Sequence, residues 1–411
     1  GLAACEFVWG EGVCGVPWAL YRCFWCWRRG ISLANTGPPR APFGRARNCY
    51  RRSVWAFIYV LMNVFAIPQA HRRQLAYWLF TVAGFVVLMV LVGGLTRLTD
   101  SGLSITEWQP ITGALPPLNA ADWELAFAKY REIPEYQLVN AGMSLEAFKV
   151  IYWWEWGHRQ LGRVVGLVFF LPFVVFLLQR KIPKVALGPL LTLFALGGLQ
   201  GFMGWYMVQS GLSDRVDVSQ YRLAMHLGLA LIIFSFCLWM GLHFMRDARL
   251  PAAAGPGVAL SGTIAVLVLV QSLLGALVAG LDAGTTYTDW PLMDGDVVPS
   301  GLFDMSPMVS NLFESHLTVQ FNHRLVAYAL TGAVIWHVFR LSRTQAPRPV
   351  LVSGSLLVAA VLGQGVLGIA TLMNAVPLPL GVAHQLGAVL VLGLAVTHLH
   401  YMRFPETVTL R

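Results

Sequence analysis

Long apolar runs recur along the chain and are of two kinds. A helix needs about 20 apolar residues to cross a bilayer. Four runs of that length contain no charged residue and span residues 75–95, 185–208, 258–281 and 350–373. Four further runs each carry a histidine at or just inside their start and span residues 155–178, 222–245, 320–341 and 380–402. The pattern predicts eight transmembrane helices in which the two kinds alternate.

The segments that connect these runs alternate in charge. With the eight runs numbered in chain order, Arg72 and Arg73 precede the first run, and Arg or Lys side chains follow the second, fourth and sixth. Two long connections are acidic: residues 98–156 hold eight Asp and Glu against three Lys and Arg, and residues 282–319 hold six against none. Because basic loops stay on the cytoplasmic or matrix side, both termini are predicted inside. The histidine-bearing helices then start at the outer face.

The composition agrees with this topology, since 56% of the residues are hydrophobic and only 12% are charged. The sequence therefore predicts an all-α integral membrane fold. A net charge of +9 also occurs in nucleic-acid-binding proteins, but here the basic residues lie in the inner loops and no nucleic acid is expected as a partner. Five of the six cysteines precede residue 50, so disulfides are not expected to join the later loops.

Short motifs of the first half of the chain return in the second half. The matched pairs are VGGL (92–95) with VAGL (278–281), EWGHR (155–159) with QFNHR (320–324), LQGFMG (199–204) with GQGVLG (363–368), and AMHLGLAL (224–231) with VAHQLGAVL (382–390). An internal repeat of four helices predicts two pseudo-symmetric four-helix bundles. We assign them to residues 74–246 and 257–403.

Four histidines occupy matched positions in this repeat, two in each half. They are His158, His226, His323 and His384. The predicted topology brings them to one side of the membrane at similar depth. Two facing imidazoles inside a helix bundle suit the iron of haem, whereas zinc and copper usually take further donors. The alternative is that each histidine only forms a hydrogen bond to a neighbouring helix.

Glycines on the same helices would let a flat macrocycle approach closely. They are Gly197, Gly198, Gly201 and Gly204 in the first half and Gly363, Gly365 and Gly368 in the second. Alone they are weak evidence, because membrane helices are rich in glycine. Four other histidines lie near the inner helix ends, where interfacial histidine is common, and we assign them no role; they are His243, His337, His398 and His400.

An arginine directly follows one histidine of each half. Arg159 comes after His158, and Arg324 comes after His323. Because guanidinium groups form bidentate pairs with carboxylates, each arginine is a candidate to bind a haem propionate. The alternatives are snorkelling to the interface and a structural pair with an Asp of the outer loops.

The two halves differ at the position three residues before His158 and His323, which is Glu155 in the first half and Gln320 in the second. On a helix this spacing puts the carboxylate on the histidine's own face. A carboxylate beside a bound ring acts as a general base or stabilises developing positive charge, which an amide does poorly. Glu155 is therefore the candidate catalytic residue, in a reactive first half beside an electron-passing second half. The alternative is an interfacial Glu that only marks the helix start.

The first outer connection contains two amphipathic stretches, residues 122–136 and 143–156. They predict helical pieces that begin at the N-caps Asp122 and Ser144. We expect these pieces to form a lid over the site of the first half.

Seven motifs, several of them long, run through most of the chain from about residue 74 to 402. They are GGLTRLTDSGLSITEWQPITGALPPL, EWGHRQLGRVVGL, LQGFMGWYMVQSGL, SQYRLAMHLGLAL, VAGLDAG, QFNHRL and AHQLGAVL. Together they resemble the haem A synthase family in its mitochondrial and proteobacterial branch. The resemblance implies oxidation of a ring methyl of haem O to the formyl group of haem A, through hydroxylated intermediates, for use in cytochrome c oxidase.

The resemblance also implies a role for each candidate residue. His158 and His226 would flank the substrate haem O, while His323 and His384 would hold the iron of a haem b cofactor. Glu155 would match the essential acid of the family. The implied partners are haem O synthase and the assembly factors of cytochrome c oxidase, in the bilayer of a bacterial inner membrane or the mitochondrial inner membrane, and a homo-oligomer is left open.

Two features limit this interpretation. Gram-positive members of the family carry a cysteine pair in an outer loop, but residues 97–156 and 282–319 contain no cysteine, so a thiol relay is not expected. Residues 1–70 are rich in Arg and poor in acid, as transit peptides are, and are interpreted as a leader or an N-terminal extension.

Two rival hypotheses belong to other classes of protein. A bis-histidine, two-haem electron-transfer cytochrome would explain the histidines but not Glu155 or the acidic lid. A repeat-built transporter would place its site near the midplane of the membrane, whereas these histidines are predicted near one face.

Overall fold

The computed structural model describes residues 68–213, 215–246 and 256–404, so the prediction of a leader in residues 1–70 lies almost wholly outside the described residues. The described residues form eleven α-helices. Eight are long and apolar enough to cross a membrane, which confirms the predicted number and an all-α integral membrane fold. They are α1 (Gln69–Leu98), α4 (Leu145–Leu178), α5 (Lys184–Val208), α6 (Gln220–Met245), α7 (Pro256–Gly280), α9 (His316–Ser342), α10 (Arg348–Met373) and α11 (Leu378–Arg403).

Three shorter helices lie in the connections between α1 and α4 and between α7 and α9. They are α2 (Ala120–Tyr130), α3 (Pro134–Leu138) and α8 (Asn311–Glu314). The predicted amphipathic piece at residues 143–156 is not separate, because α4 begins at Leu145 and continues into the membrane span. A run of apolar residues marks only the part of a helix that meets lipid, so it underestimates a helix that extends into a lid.

One of the two predicted N-caps is confirmed. The Ser144 side chain accepts a hydrogen bond from the backbone N–H of Ala147 at the start of α4. For α2 the cap is Asn119, whose side chain accepts from the backbone N–H of Asp122 at 2.9 Å. Asp122 lies within the first turn and accepts from the N–H of Leu118, so the prediction of Asp122 as the N-cap was wrong by one turn of helix.

The membrane helices pack in a repeating order. Helix α1 packs against α4 and α6, and α5 packs against α6; α7 packs against α9 and α11, and α10 packs against α9 and α11. The two sets meet where α6 contacts α7 and α11 contacts α1. Arg97, at the end of α1, also forms an ion pair at 3.0 Å with Asp282, just after α7. The assignment of residues 74–246 and 257–403 to two pseudo-symmetric bundles stays a prediction.

The main core lies between α1, α6 and α11. Leu79, Val82, Cys237 and Ala395 are among its buried residues. Large apolar side chains on the outside of the helices remain exposed, for example Leu167, Phe194, Val266, Leu356 and Val366. Lipid tails are as apolar as these side chains, so this surface agrees with a protein embedded in a bilayer.

The lid has a small aromatic core of its own. Phe127 and Tyr130 of α2 pack against Phe148 of α4, with the rings of Phe127 and Phe148 stacked at 4.9 Å between centroids. Asn140 donates a hydrogen bond to the Tyr130 hydroxyl. This core fixes α2 and α3 against the first turns of α4.

His243, His337, His398 and His400 lie near the C-terminal ends of their helices and are buried inside the protein, each no more than 2% exposed. The Nε2 atoms of His337 and His398 lie 3.0 Å apart and share a hydrogen bond. The Ser353 hydroxyl lies 2.9 Å from Nδ1 of His398. These contacts join α9, α10 and α11, so His337 and His398 connect neighbouring helices.

Candidate functional site

Each of the four matched histidines lies against a glycine of the preceding membrane helix. The pairs are His158 with Gly93, His226 with Gly204, His323 with Gly275, and His384 with Gly368. A Cβ atom added to these glycines would lie 2.9, 3.1, 3.1 and 2.7 Å, respectively, from Cε1 of the imidazole. Any larger residue would push the ring away, so these four glycines determine where the imidazoles lie.

The histidines are near each other in the pairs that the repeat predicts. His158 and His226 are close enough for their charges to interact, and so are His323 and His384. All four side chains are half-buried. Each half therefore presents two neighbouring imidazoles between its helices.

The seven glycines that were predicted to border the macrocycle fall into two groups. Gly204 and Gly368 contact histidine rings, as described above. The other five predicted glycines border open space, with no atom within 4 Å of an added Cβ; they are Gly197, Gly198, Gly201, Gly363 and Gly365. Gly93 and Gly275 also contact histidine rings, although the sequence analysis did not select them.

Three glutamines contact the imidazoles, and the sequence analysis missed all of them. The side-chain amides of Gln200, Gln271 and Gln364 donate to Nδ1 of His226, His323 and His384 at 3.2, 3.0 and 3.1 Å. Each amide also donates to the backbone carbonyl of the same histidine, at 3.1, 3.0 and 2.7 Å. Each glutamine stands four residues before the contacting glycine, so the pattern Q-x-x-x-G was a sequence signal for them.

His158 is the exception to this pattern. The residue four positions before Gly93 is Met89, which cannot donate such a hydrogen bond. Its methyl group reaches α4 beside Gly162, one turn after His158. Nδ1 of His158 is buried and has no hydrogen-bond partner among the described residues.

Glu155 is 2% exposed and accepts four hydrogen bonds. Its Oε1 accepts from Nε and Nη2 of Arg159 at 3.0 and 2.6 Å, which makes a buried ion pair. Its Oε2 accepts from the Ser104 hydroxyl at 2.8 Å and from the Ile105 N–H at 2.7 Å. A carboxylate offers about four lone-pair sites, so Glu155 takes up a proton only if one of these partners moves away.

Arg159 attaches the first outer loop to α4. Besides Glu155, it donates to the backbone carbonyls of Ile105 at 2.6 Å and Glu107 at 2.8 Å. Arg163, one turn later, donates to the carbonyls of Gln109 and Pro110. Most of the donors of Arg159 are therefore already used, and its predicted pairing with a propionate stays a prediction.

In the second half a loop is attached to α9 in the same way, with Gln320 in place of the acid. Arg324 donates to the backbone carbonyls of Tyr287 and Leu292 at 3.1 and 2.9 Å, and Gln320 donates to the carbonyl of Tyr287 at 2.9 Å. Nε of Arg324 is buried and, among the residues that the structure describes, has no partner. Arg324 thus keeps more free donors than Arg159 for an anionic group.

A second buried acid, which the sequence analysis missed, lies in the lid. Glu135 of α3 is 5% exposed, and burial raises its pKa to about 8, with a further contribution from the charge of Glu155. One of its oxygens receives a long hydrogen bond from Asn140 at 3.5 Å, and the other has no partner within the described part of the chain. The lid therefore carries a protonated carboxyl group near Glu155 at neutral pH.

The donor set fits haem better than a bare metal ion. Within residues 68–213, 215–246 and 256–404, no cluster of three or more His, Cys, Asp and Glu side chains could hold a metal ion. Each half offers two imidazoles on glycine cradles, which is the number that bis-histidine haem iron takes. The open space beside Gly197, Gly198, Gly201, Gly363 and Gly365 also fits a flat macrocycle.

Comparisons with known proteins agree with each other. Residues 76–396 match the family described as cytochrome oxidase assembly protein, COX15-CtaA. The chain is 50% identical over 339 residues to a heme A synthase of Parvibaculum lavamentivorans, covering 82% of this chain and 97% of that protein. It is 52% identical over 347 residues to the heme A synthase of Azorhizobium caulinodans, with 82% and 97% covered. It is 48% identical over 346 residues to that of Rhizobium meliloti, with 82% and 92% covered.

Proposed function

Because the chain belongs to the COX15-CtaA family of cytochrome oxidase assembly proteins, we propose that it is a haem A synthase. It oxidises a ring methyl of haem O to the formyl group of haem A, which makes it an oxidoreductase that serves the assembly of cytochrome c oxidase. Haem O synthase supplies its substrate. The observation that carries this proposal is the set of two imidazole pairs, each ring seated on a glycine, in a chain about half identical to relatives named heme A synthase.

His158 and His226 bind the substrate haem O in the first half. His323 and His384 hold the iron of a haem b cofactor in the second half, where haem b would supply a redox centre for electrons taken from the substrate. The two rings of each pair are near one another. Arg324, and to a lesser extent Arg159, bind propionates at the outer face, since Arg324 retains a buried donor that has no partner within the described segments.

The ion pair between Glu155 and Arg159 holds part of the lid loop beside the first histidine pair. Glu155 and Arg159 fix residues 104–107 to α4 next to His158. With its four hydrogen bonds, the Glu155 carboxylate is better placed to stabilise positive charge on the ring than to accept a proton. The second half has Gln320 at this position and lacks such a charge, which supports chemistry in the first half only.

We place the protein in the bacterial inner membrane, because the relatives named above are bacterial and eight helices are suited to crossing a bilayer. Both termini lie inside, and the lid with both histidine pairs lies at the outer face. This orientation follows from the basic loops by the positive-inside rule.

The roles of the two pairs are tested by haem extraction from single variants. His323→Ala and His384→Ala should lose haem B and retain haem O, whereas His158→Ala and His226→Ala should lose haem O and retain haem B. Chromatography with mass detection measures both haems after expression with a haem O source. Equal loss of both haems in all four variants would refute the division of roles.

A further inference from the structure

We propose that Gln200, Gln271 and Gln364 are positioning residues for three axial histidines, and that Met89 leaves His158 as the exchangeable ligand through which the substrate haem enters and product haem leaves. The inference rests on the proposed function, because it requires one haem that stays and another that is exchanged. It concerns residues to which the sequence motifs assigned no role.

The three glutamines share one geometry. Each lies on the helix before its histidine and donates from its amide both to the ring Nδ1, at 3.0 to 3.2 Å, and to the backbone carbonyl of the same residue. The glycine one turn later contacts Cε1 of the same ring. In His226 and His323 the same amide also lies 3.4 and 3.3 Å from Nε2, so amide and glycine together fix the ring orientation from its Cε1 edge.

An imidazole bound to iron through Nε2 carries its proton on Nδ1 and needs an acceptor there. The three carboxamide oxygens, Oε1 of Gln200, Gln271 and Gln364, are buried and have no partner within the described residues. Rotation about the last side-chain bond turns such an oxygen towards Nδ1, in exchange for the hydrogen bond to the histidine's backbone carbonyl. The amide can therefore support the histidine both without haem and with it.

His158 has no such support. Its Nδ1 is buried without a partner among the described residues, and Met89 occupies the position of the glutamine. The thioether is at most a weak acceptor. The second half thus has two supported ligands, whereas the first half has one supported ligand, His226, and one unsupported ligand.

This distribution matches the different tasks of the two haems. A cofactor haem has to stay bound through many turnovers, but a substrate haem has to be released as product each time. Loss of an outer partner of a metal ligand typically weakens binding by about 10- to 100-fold. An unsupported His158 therefore favours release from the first half without weakening the second.

The test uses the full-length protein, purified in detergent and carrying both haems. Apomyoglobin in excess captures any haem that is released, and chromatography identifies it as haem O or haem B. Met89→Gln supplies the missing amide and should slow the release of haem O by about 10- to 100-fold while leaving haem B unchanged. Gln364→Met removes one support and should accelerate the release of haem B by a similar factor.

Gln385→Met is the matched control. Gln385 directly follows His384, but its amide donates to the backbone carbonyl of Val90 and not to the ring. This variant should release both haems as the unmodified protein does. A second readout separates positioning from packing: the midpoint potential of haem B should rise in Gln364→Met, where the imidazole loses its acceptor, and stay constant in Gln385→Met.

The outcomes distinguish this inference from the proposed function. If both low-spin haems are present, and Met89→Gln and Gln364→Met release them at the original rates, the positioning role is refuted and the proposed function stands. If Gln385→Met accelerates the release of haem B as much as Gln364→Met, general packing explains the effect and the inference fails. If the unmodified protein takes up no haem O at all, the proposed function itself fails.

Discussion

Replacing Glu155 with Ala tests both the structural and the catalytic role of the buried ion pair. The substitution removes the acceptor of four hydrogen bonds, two from Arg159 and one each from Ser104 and Ile105. Arg159 keeps its bonds to two loop carbonyls and is 19% exposed. Unpairing a buried charge costs about 3–5 kcal/mol, and the remaining contacts of Arg159 place this case near the lower limit.

A loss of about 3 kcal/mol corresponds to roughly a 100-fold increase in local opening of the loop. Hydrogen exchange followed by mass spectrometry should show this increase at residues 101–111, including the N–H of Ile105. The matched control is Gln320→Ala in the second half, which removes a single hydrogen bond to Tyr287 and should affect only the loop near that residue. Unchanged exchange at residues 101–111 would contradict the structural role.

The catalytic role is measured on the same variant. Glu155→Ala should retain both haems, since all four histidines remain, but it should form no haem A. Ser104→Ala removes one hydrogen bond and keeps the carboxylate, so it should loosen the loop slightly and still form haem A. Formation of haem A at the original rate by Glu155→Ala would refute the proposal that this carboxylate stabilises charge on the ring.

Two further predictions concern the glycine cradles and the lid. Gly368→Ala would place a Cβ 2.7 Å from Cε1 of His384, so it should displace the ring and reduce the haem B content. Gly365→Ala faces open space and should retain haem B. Equal haem B content in the two variants, measured by absorbance, would contradict the role of Gly368 in seating the histidine. Glu135 has its pKa raised by burial from 4.5 to about 8, so the folded lid keeps a proton that the unfolded lid releases. Its stability is therefore complete below about pH 4.5 and falls by about 1.4 kcal/mol per unit as the pH rises to about 8. Thermal unfolding of the aromatic lid core, followed by near-ultraviolet circular dichroism, should show this slope, and Glu135→Gln should abolish it; an equal slope in the variant would assign it to other groups.

The sequence predicted the helices well because hydropathy is a strong signal in membrane proteins. The predicted spans agree with the observed ones within a few residues at most ends, except that α4 begins at Leu145 instead of residue 155. That difference arises because the first turns of α4 pack under α2 rather than in lipid, through Phe148 and Tyr152. The hydrophobic period and the charge pattern predict which residues meet lipid or water. They do not predict which amphipathic turns continue a neighbouring helix.

The candidate site was only partly predictable. Repeat matching located the histidines and the difference between Glu155 and Gln320, since these positions stand out among apolar residues. It did not reveal that Arg159 is the partner of Glu155, because an i, i+4 contact depends on the loop that covers it. The glutamines were missed because two of them lie among glycines that were interpreted as a surface for the macrocycle, and because Gln271 lies in a stretch that no compared motif included.

The haems that the purified protein carries show whether this chain changes the ring of haem O. The protein is expressed with a haem O source in a host that makes no haem A, purified, and its haems are extracted and identified by chromatography and mass. We expect haem B together with a hydroxylated haem or haem A, beside any remaining haem O. Haem B alone, or haem B with only unchanged haem O, would refute oxidation of the ring and favour an electron-transfer cytochrome.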